Sequence, residues 1–337
     1  MLPHHDPGGG FRNPWPNANV AGLRDLLKWV VVERVTRRRP KHPGLPPFEP
    51  VAPGFAMPRA APDVITVTWV GHATFLLQIG GLNILTDPMW SERASPVQFA
   101  GPRRHRPPGF TFDELPPVDV VLLSHNHYDH LDAVTVRRLA VRFPDANWLA
   151  PLGVGAALIK RGARRVRELD WWDVERLNGL TITSTPAQHF SGRAFHDRNR
   201  SLWCGWSLRA GARAVWFAGD TGYHPEFGTI GARCGPFELA LLPVGAYEPR
   251  WFMRPVHMNP EDAVRAYQDV RAGWHASPSD DTALVPMHWG TFKLTDEPMG
   301  EPPIRTTAAW REAGLPQEAL WLLAPGETRA LRAPPPD

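Results

Sequence analysis

Four side chains able to hold a divalent metal crowd into Ser124-His125-Asn126-His127-Tyr128-Asp129-His130-Leu131-Asp132: His125, His127, Asp129 and His130. Imidazole and carboxylate ligands suit zinc best among common biological metals, with iron or manganese also compatible. In extended backbone, side chains two apart point the same way, so His125 and His127 can reach one ion from one side. Asp129 and His130 follow once the chain turns and can face a second ion. A lone histidine is more often structural. Three histidines and an aspartate at this spacing favour a metal site over a polar turn that happens to be rich in histidine.

The elements that must position these ligands are legible around them. Val118 to Leu123, apolar but for Asp119, has the pattern of a strand buried on both faces. Leu131, Val134, Leu139 and Phe143 recur at helical spacing. The ligands therefore sit at the carboxyl end of a strand, where α/β proteins place chemistry. The same arrangement recurs three times. His189 follows the strand Leu180–Thr185, Asp220 follows Ala214–Ala218, and His288 follows Ala283–Pro286. Four strand ends meeting on one rim would assemble a single site. Asp87 closes the strand Leu82–Thr86 ahead of Pro88, either as a turn cap or as a carboxylate that orients a ligand histidine from behind. His72 breaks the strand pair of Val64 to Ile79, and either supports the ligands or fills the core.

The rest of the chain sorts into an N-terminal extension, residues 1–62, and a hydrolase domain, residues 63–333. Within the extension, Leu23 to Val35 reads as a short helix with Leu23, Leu26, Leu27, Val30 and Val31 near one face. Arg37-Arg38-Arg39-Pro40-Lys41 then begins a Pro-rich strap. The helix is expected to dock on the main domain. Its apolar face and the basic run also suit an anionic membrane surface. Residues 89–117 form a long Pro-rich loop, usually a functional feature in a compact domain. Short strands are expected at Trp148–Ala150, Trp203–Leu208, Glu238–Val244 and Trp321–Leu323, and a helix at Gly153–Arg161. Another helix begins at Asn259, with Pro260 at its first position and acidic residues in its first turn.

Composition narrows the function classes. The net charge of +3 is compatible with an anionic substrate or lipid surface and argues weakly for either. Cys204 and Cys234 are the only cysteines, which makes a disulfide framework implausible, and they do not pair as metal ligands. The start MLPHHDPGGG lacks the apolar stretch of a signal peptide, and no apolar run approaches a membrane span. The expected location is cytoplasmic, with peripheral membrane contact as the variant. No basic stripe interleaves with aromatics as in single-strand binders, so nucleic acid is not expected as a partner.

The ligand series His125-Asn126-His127-Tyr128-Asp129-His130, with His189, Asp220 and His288, resembles the dinuclear metal signature of the metallo-β-lactamase superfamily. The closer resemblance is to its N-acylphosphatidylethanolamine-hydrolysing phospholipase D branch. It is carried by Asn13-Pro14-Trp15-Pro16, Thr68-Trp69-Val70-Gly71-His72-Ala73-Thr74, Phe217-Ala218-Gly219-Asp220-Thr221-Gly222-Tyr223, Gly245-Ala246-Tyr247-Glu248-Pro249-Arg250-Trp251-Phe252-Met253 and His288-Trp289-Gly290-Thr291-Phe292. The resemblance implies an αββα sandwich. It implies one metal on His125, His127 and His189, a second on Asp129, His130 and His288, and Asp220 bridging them. Tyr128 and His257 match positions that contact the phospholipid head group and phosphate. A homodimer is implied as well.

Two divalent ions, expected to be zinc, would be only partly neutralised by Asp129 and Asp220, which leaves a positive site suited to a phosphodiester. Water acidified by the metals toward a pKa of about 7 would supply hydroxide to attack phosphorus in line, with Asp129 and Asp220 as the catalytic carboxylates. No side-chain nucleophile with an adjacent base stands out, so a covalent intermediate is not expected. The expected reaction splits N-acylphosphatidylethanolamine into N-acylethanolamine and phosphatidic acid, and Tyr247, Trp251, Phe252 and Met253 are candidates to line an acyl groove. The alternative is a broader phosphodiesterase or other hydrolase of the same fold, since a fold does not set its substrate.

Overall fold

The computed structural model describes residues 2–16, 18, 20–33, 36, 48–194, 196–274 and 282–332. Its strands are β1 (Val64–Gly71), β2 (Thr74–Ile79), β3 (Leu82–Thr86), β4 (Val120–Leu122), β5 (Asn147–Pro151), β6 (Arg165–Leu169), β7 (Val174–Leu177), β8 (Leu180–Thr185), β9 (Gly205–Ala210), β10 (Arg213–Phe217), β11 (Leu239–Pro243), β12 (Ala283–Met287) and β13 (Thr328–Arg332). They form a seven-stranded sheet ordered β13-β1-β2-β3-β4-β5-β6 and a six-stranded sheet ordered β12-β11-β10-β9-β8-β7. Both are mixed. β3 through β6 run parallel, as do β10 through β12, and the other pairings are antiparallel.

Strand alternation explains the layering. In β4, Val120 and Leu122 enter the core between the sheets, together with Ile182, Trp206, Leu208 and Phe217 of the second sheet. Val121 and the following Leu123 point the other way, into a second core with Val136, Leu139 and Leu158. Those three belong to helices α2 (Ala133–Arg142) and α3 (Gly155–Ile159). Buried on both faces, β4 reads as an unbroken apolar run for that reason. Outside the second sheet, α4 (Phe227–Cys234) and α6 (Pro260–Gly273), separated in the chain by the short α5 (Arg250–Met253), pack together, with α7 (Glu301–Glu312) beside α6. Asn259 caps α6 through its side chain, which accepts from the Asp262 N–H at 2.9 Å. The architecture is the expected αββα sandwich.

Several local expectations need correction. The helix expected over Leu23 to Val35 is present through residue 33, as α1 (Leu23–Leu27) continued by a π-helical turn over Lys28–Glu33, and residues 34–35 lie outside the described residues. The basic run 37–41 lies outside the described residues. Trp321–Leu323 is not a strand. Only neighbouring Leu320 makes an isolated bridge, to Leu284, and the final strand is β13 on the edge of the first sheet. β6, β7 and α4 were not anticipated. The first two are half-exposed and rich in charge, so they show no apolar run.

Candidate metal centre

The ligands come from both sheets. β4 delivers His125 to His130, β8 leads to His189, β10 to Asp220 and β12 to His288. From the first sheet, β3 ends on Asp87 and β1 on His72. Three of these residues hold left-handed backbone, His72 at φ 57°, Asp87 at 35° and His288 at 65°. Non-glycine residues pay for that conformation, and such outliers cluster at sites that need an otherwise unavailable side-chain direction. Close backbone approach is required as well. A Cβ on Gly245, at the end of β11, would stand 1.9 Å from the carbonyl oxygen of His288.

The distances define two adjoining groups. In the first, His125 Nε2 lies 2.8 Å from His127 Nδ1, and His189 Nε2 lies 3.2 Å from that same atom. In the second, His130 Nε2 and His288 Nε2 each stand 3.0 Å from Asp220 Oδ2 and 3.4 Å from Asp129 Oδ2. Asp220 Oδ2 also reaches toward the first group, 4.0 Å from His125 Nε2 and 3.9 Å from His189 Nε2. Around a tetrahedral zinc with bonds of about 2.0–2.1 Å, neighbouring ligand atoms sit about 3.3 Å apart. The second group has that spacing. His130 Nε2, His288 Nε2 and Asp220 Oδ1 are buried without a hydrogen-bond partner, so the close nitrogen–oxygen pairs are not aligned as hydrogen bonds. Unpartnered buried polar atoms at these separations fit a cation held between them.

The groups behind the ligands set which ring nitrogen is bare. Asp87 accepts from the Ser124 N–H at 2.7 Å, from the Ser124 hydroxyl at 2.6 Å and from His130 Nδ1–H at 2.7 Å. Because the Ser124 hydroxyl spends its proton on Asp87, its oxygen accepts from His125 Nδ1–H at 2.8 Å. His189 Nδ1–H donates to the Val256 carbonyl at 2.9 Å. In each case Nε2 is left with its lone pair facing the centre, as a metal ligand requires. The structure thus places Asp87 directly behind His130 and, through Ser124, behind His125. His72 is buried and also donates, Nε2–H to Asp129 Oδ2 at 2.8 Å, so its two readings merge.

The electrostatics follow the same division. Burial first, then the charge of His189, lowers His127 to about 3. Burial lowers His189 to about 4. Burial also opposes charge on His288, but the neighbouring carboxylates of Asp220 and Asp129 lift it to about 9. His130 is raised well above its ordinary value by Asp220, Asp129 and Asp87, against burial. Asp129 and Asp220 stay well below the usual carboxylate range despite burial, held there by His130 and, at Asp220, His288. The centre thus collects positive charge around two carboxylates, the place a divalent cation would take.

Beside the centre opens a cavity of about 700 Å³. Its floor includes His127, Asp129, Asp220 and His257, and its walls include Phe190, Phe252, Met253, Val256 and Leu294. Tyr128 lines it too, with its ring under the Arg193 guanidinium at 3.9 Å and its hydroxyl donating to the Arg193 carbonyl at 2.7 Å. His257 is held well below its ordinary value by burial, and its Nδ1 has no hydrogen-bond partner. Of the four expected groove residues, Phe252 and Met253 do line the cavity. Tyr247 does not: it is fully buried and donates to Glu301 Oε1 at 2.6 Å. Trp251 lies outside the wall, 39% exposed, with the Lys28 ammonium over its ring. The contribution of Val20, Leu26 and Trp29 to the wall was not foreseen. Trp29 is pinned there by donating from Nε1 to Asp296 Oδ2 at 2.7 Å.

Residues 82–289 match the family described as Beta-lactamase superfamily domain. An uncharacterized protein of Mycobacterium tuberculosis is 43% identical over 310 residues, 89% of this chain and 78% of its own. The N-acyl-phosphatidylethanolamine-hydrolyzing phospholipase D 1 of Caenorhabditis elegans is 42% identical over 237 residues, 67% of this chain but 64% of that enzyme. Among solved structures, a metallo hydrolase from the archaeon Ignicoccus hospitalis superposes with a TM-score of 0.60 at 25% identity, covering 80% of this chain and 100% of its own.

Proposed function

The chain belongs to the beta-lactamase superfamily, as a metal-dependent hydrolase of that fold, and we propose that it is a phospholipase D that cleaves N-acylphosphatidylethanolamine. The observation that carries the proposal is the cavity, which joins a polar, cation-ready floor to an apolar wall large enough for acyl chain. The likeness to the nematode lipase, at 42% identity, supports the same substrate class.

His125, His127 and His189 would hold one ion, and Asp129, His130 and His288 the other, with Asp220 between. Such ions, when bound, acidify water and draw charge from a phosphoryl group. The chain's own residues supply the rest. Asp220 Oδ1, buried and unpartnered, is placed to accept a hydrogen bond from the attacking water and so orient it. His72 fixes Asp129 through its 2.8 Å bond. His257, kept neutral by its burial, lines the cavity, and its unpartnered Nδ1 would bond a phosphate oxygen or hydroxyl of the head group. Tyr128, propped by Arg193, bounds the same side. Phe190, Phe252 and Leu294 exclude water around the lipid chain.

The reading extends to a lipid surface. Leu27, Val31 and Val32 are each more than half exposed beside the cavity mouth. No helix among the described residues is long and apolar enough to cross a membrane.

The test is hydrolysis of N-acylphosphatidylethanolamine in detergent micelles by zinc-loaded protein, with bis(p-nitrophenyl) phosphate in parallel. Release of N-acylethanolamine well above the rate on the model diester is expected. Cleavage of the model diester alone would remove the lipid from the assignment and leave a broader phosphodiesterase.

A further inference from the structure

A second strap, residues 2–16 at the start of the extension, reaches the centre at one point. After β8 the chain leaves the sheet, and the backbone of His189 loses its ladder partners. Both of its polar groups then pair with one side chain. Asn13 Nδ2 donates to the His189 carbonyl at 2.9 Å, and the His189 N–H donates to Asn13 Oδ1 at 3.2 Å. A second Nδ2 hydrogen goes to the Ala18 carbonyl at 3.3 Å. We infer that Asn13 is a positioning residue for the ion held by His125, His127 and His189, acting through the backbone of His189.

The geometry explains the residue type. Satisfying a carbonyl and an N–H of the same residue takes a donor and an acceptor on one short, rigid group, which only a carboxamide supplies at this reach. The ring of His189 is then held at two levels, the backbone by Asn13 and Nδ1 by the Val256 carbonyl at 2.9 Å. Only Nε2 is left free to meet an ion.

Asn13 is itself held by its neighbours. The Phe11 N–H donates to the Asn199 carbonyl at 2.8 Å, and Trp15 stacks between Trp171 and His224, with centroids at 5.6 and 4.6 Å. Further up the strap, His4 and His5 donate to the two oxygens of Asp170 at 2.6 and 2.7 Å. Each imidazole has its own carboxylate oxygen, so the triad fastens the start of the chain to the end of β6. Groups behind a metal ligand commonly tune affinity by about 10- to 100-fold.

The inference rests on the metal centre and not on the lipid substrate, and zinc binding reads it without turnover. Zinc affinity is measured by competition with a chromophoric chelator for the wild type, Asn13→Ala, Asn13→Asp and His5→Ala, alongside thermal unfolding of each metal-free protein. The two Asn13 variants are expected to bind zinc about 10- to 100-fold more weakly at one of the ion positions, with metal-free unfolding close to wild type. Asn13→Asp keeps the acceptor and loses the donor, so it covers the case in which Asn13→Ala does not fold. His5→Ala, which loosens the strap but spares the amide, should bind as wild type does. Wild-type zinc affinity in either Asn13 variant would overturn the inference. So would an equal loss in His5→Ala, since the effect would then belong to strap docking.

Discussion

At the scale of single residues, the centre depends on each polar atom having one fate. Asp87 receives three donors on two oxygens, from the Ser124 N–H, the Ser124 hydroxyl and His130 Nδ1–H. In Asp87→Asn, one carboxylate oxygen becomes an NH₂ that opposes a donor. Zinc retention in that variant should fall by about 10- to 100-fold, measured by chelator competition, while the ligands themselves are unchanged. His125→Ala removes a ligand outright. It should lose bound metal and hydrolysis together while its far-UV circular dichroism stays native, because His125 is not part of the apolar cores. A variant that keeps both metal and turnover would sink the assignment of His125. The ligand types and their spacing were legible before any coordinates, because metal chemistry restricts them so narrowly. The partners of Asn13, Ser124 and Arg193 were not. Asn13 and Arg193 act on backbone carbonyls and N–H groups, which carry no signal in a residue string, and Ser124 meets Asp87 only because the fold brings two distant strand ends together.

At the scale of elements, the strands that carry ligands were readable because they are buried on both faces and end in glycine or polar turns. β6, β7 and β13 escaped because edge strands are half solvated and bear charge. The segment Thr221 to Phe227, between β10 and α4, carries a titration of its own. His224 is buried against Trp15 and Phe227, and burial alone depresses it to about 3. The unfolded chain takes up that proton near its ordinary 6.5, so between about 6.5 and 3 the unfolded state binds more protons than the folded one. Stability at this site is therefore complete above 6.5 and declines as pH falls toward 3. His224→Phe should lose less melting temperature than wild type between pH 7 and pH 5. An identical loss in both proteins would show that His224 does not titrate as described.

At the scale of the molecule, the extension and the main fold share one working surface. The helix from Leu23 onward was expected to dock, and the structure places Leu26 and Trp29 in the cavity wall while Val31 faces outward, 57% exposed. Replacing this outward apolar residue, Val31→Glu, should weaken co-sedimentation with anionic vesicles and leave cleavage of a soluble diester intact. Unchanged vesicle binding would mean that this face does not meet lipid. The two sheets, for their part, contribute ligands in different proportions, with His125 to His130 from one and His189, Asp220 and His288 from the other. In the proposed assignment each ion draws ligands from both sheets and would be a rivet through the two layers of the sandwich. The rivet at Asp129, His130 and His288 could not be driven until His288 had left the ribosome and β12 had joined its sheet, the last of the ligand-bearing strands in the chain.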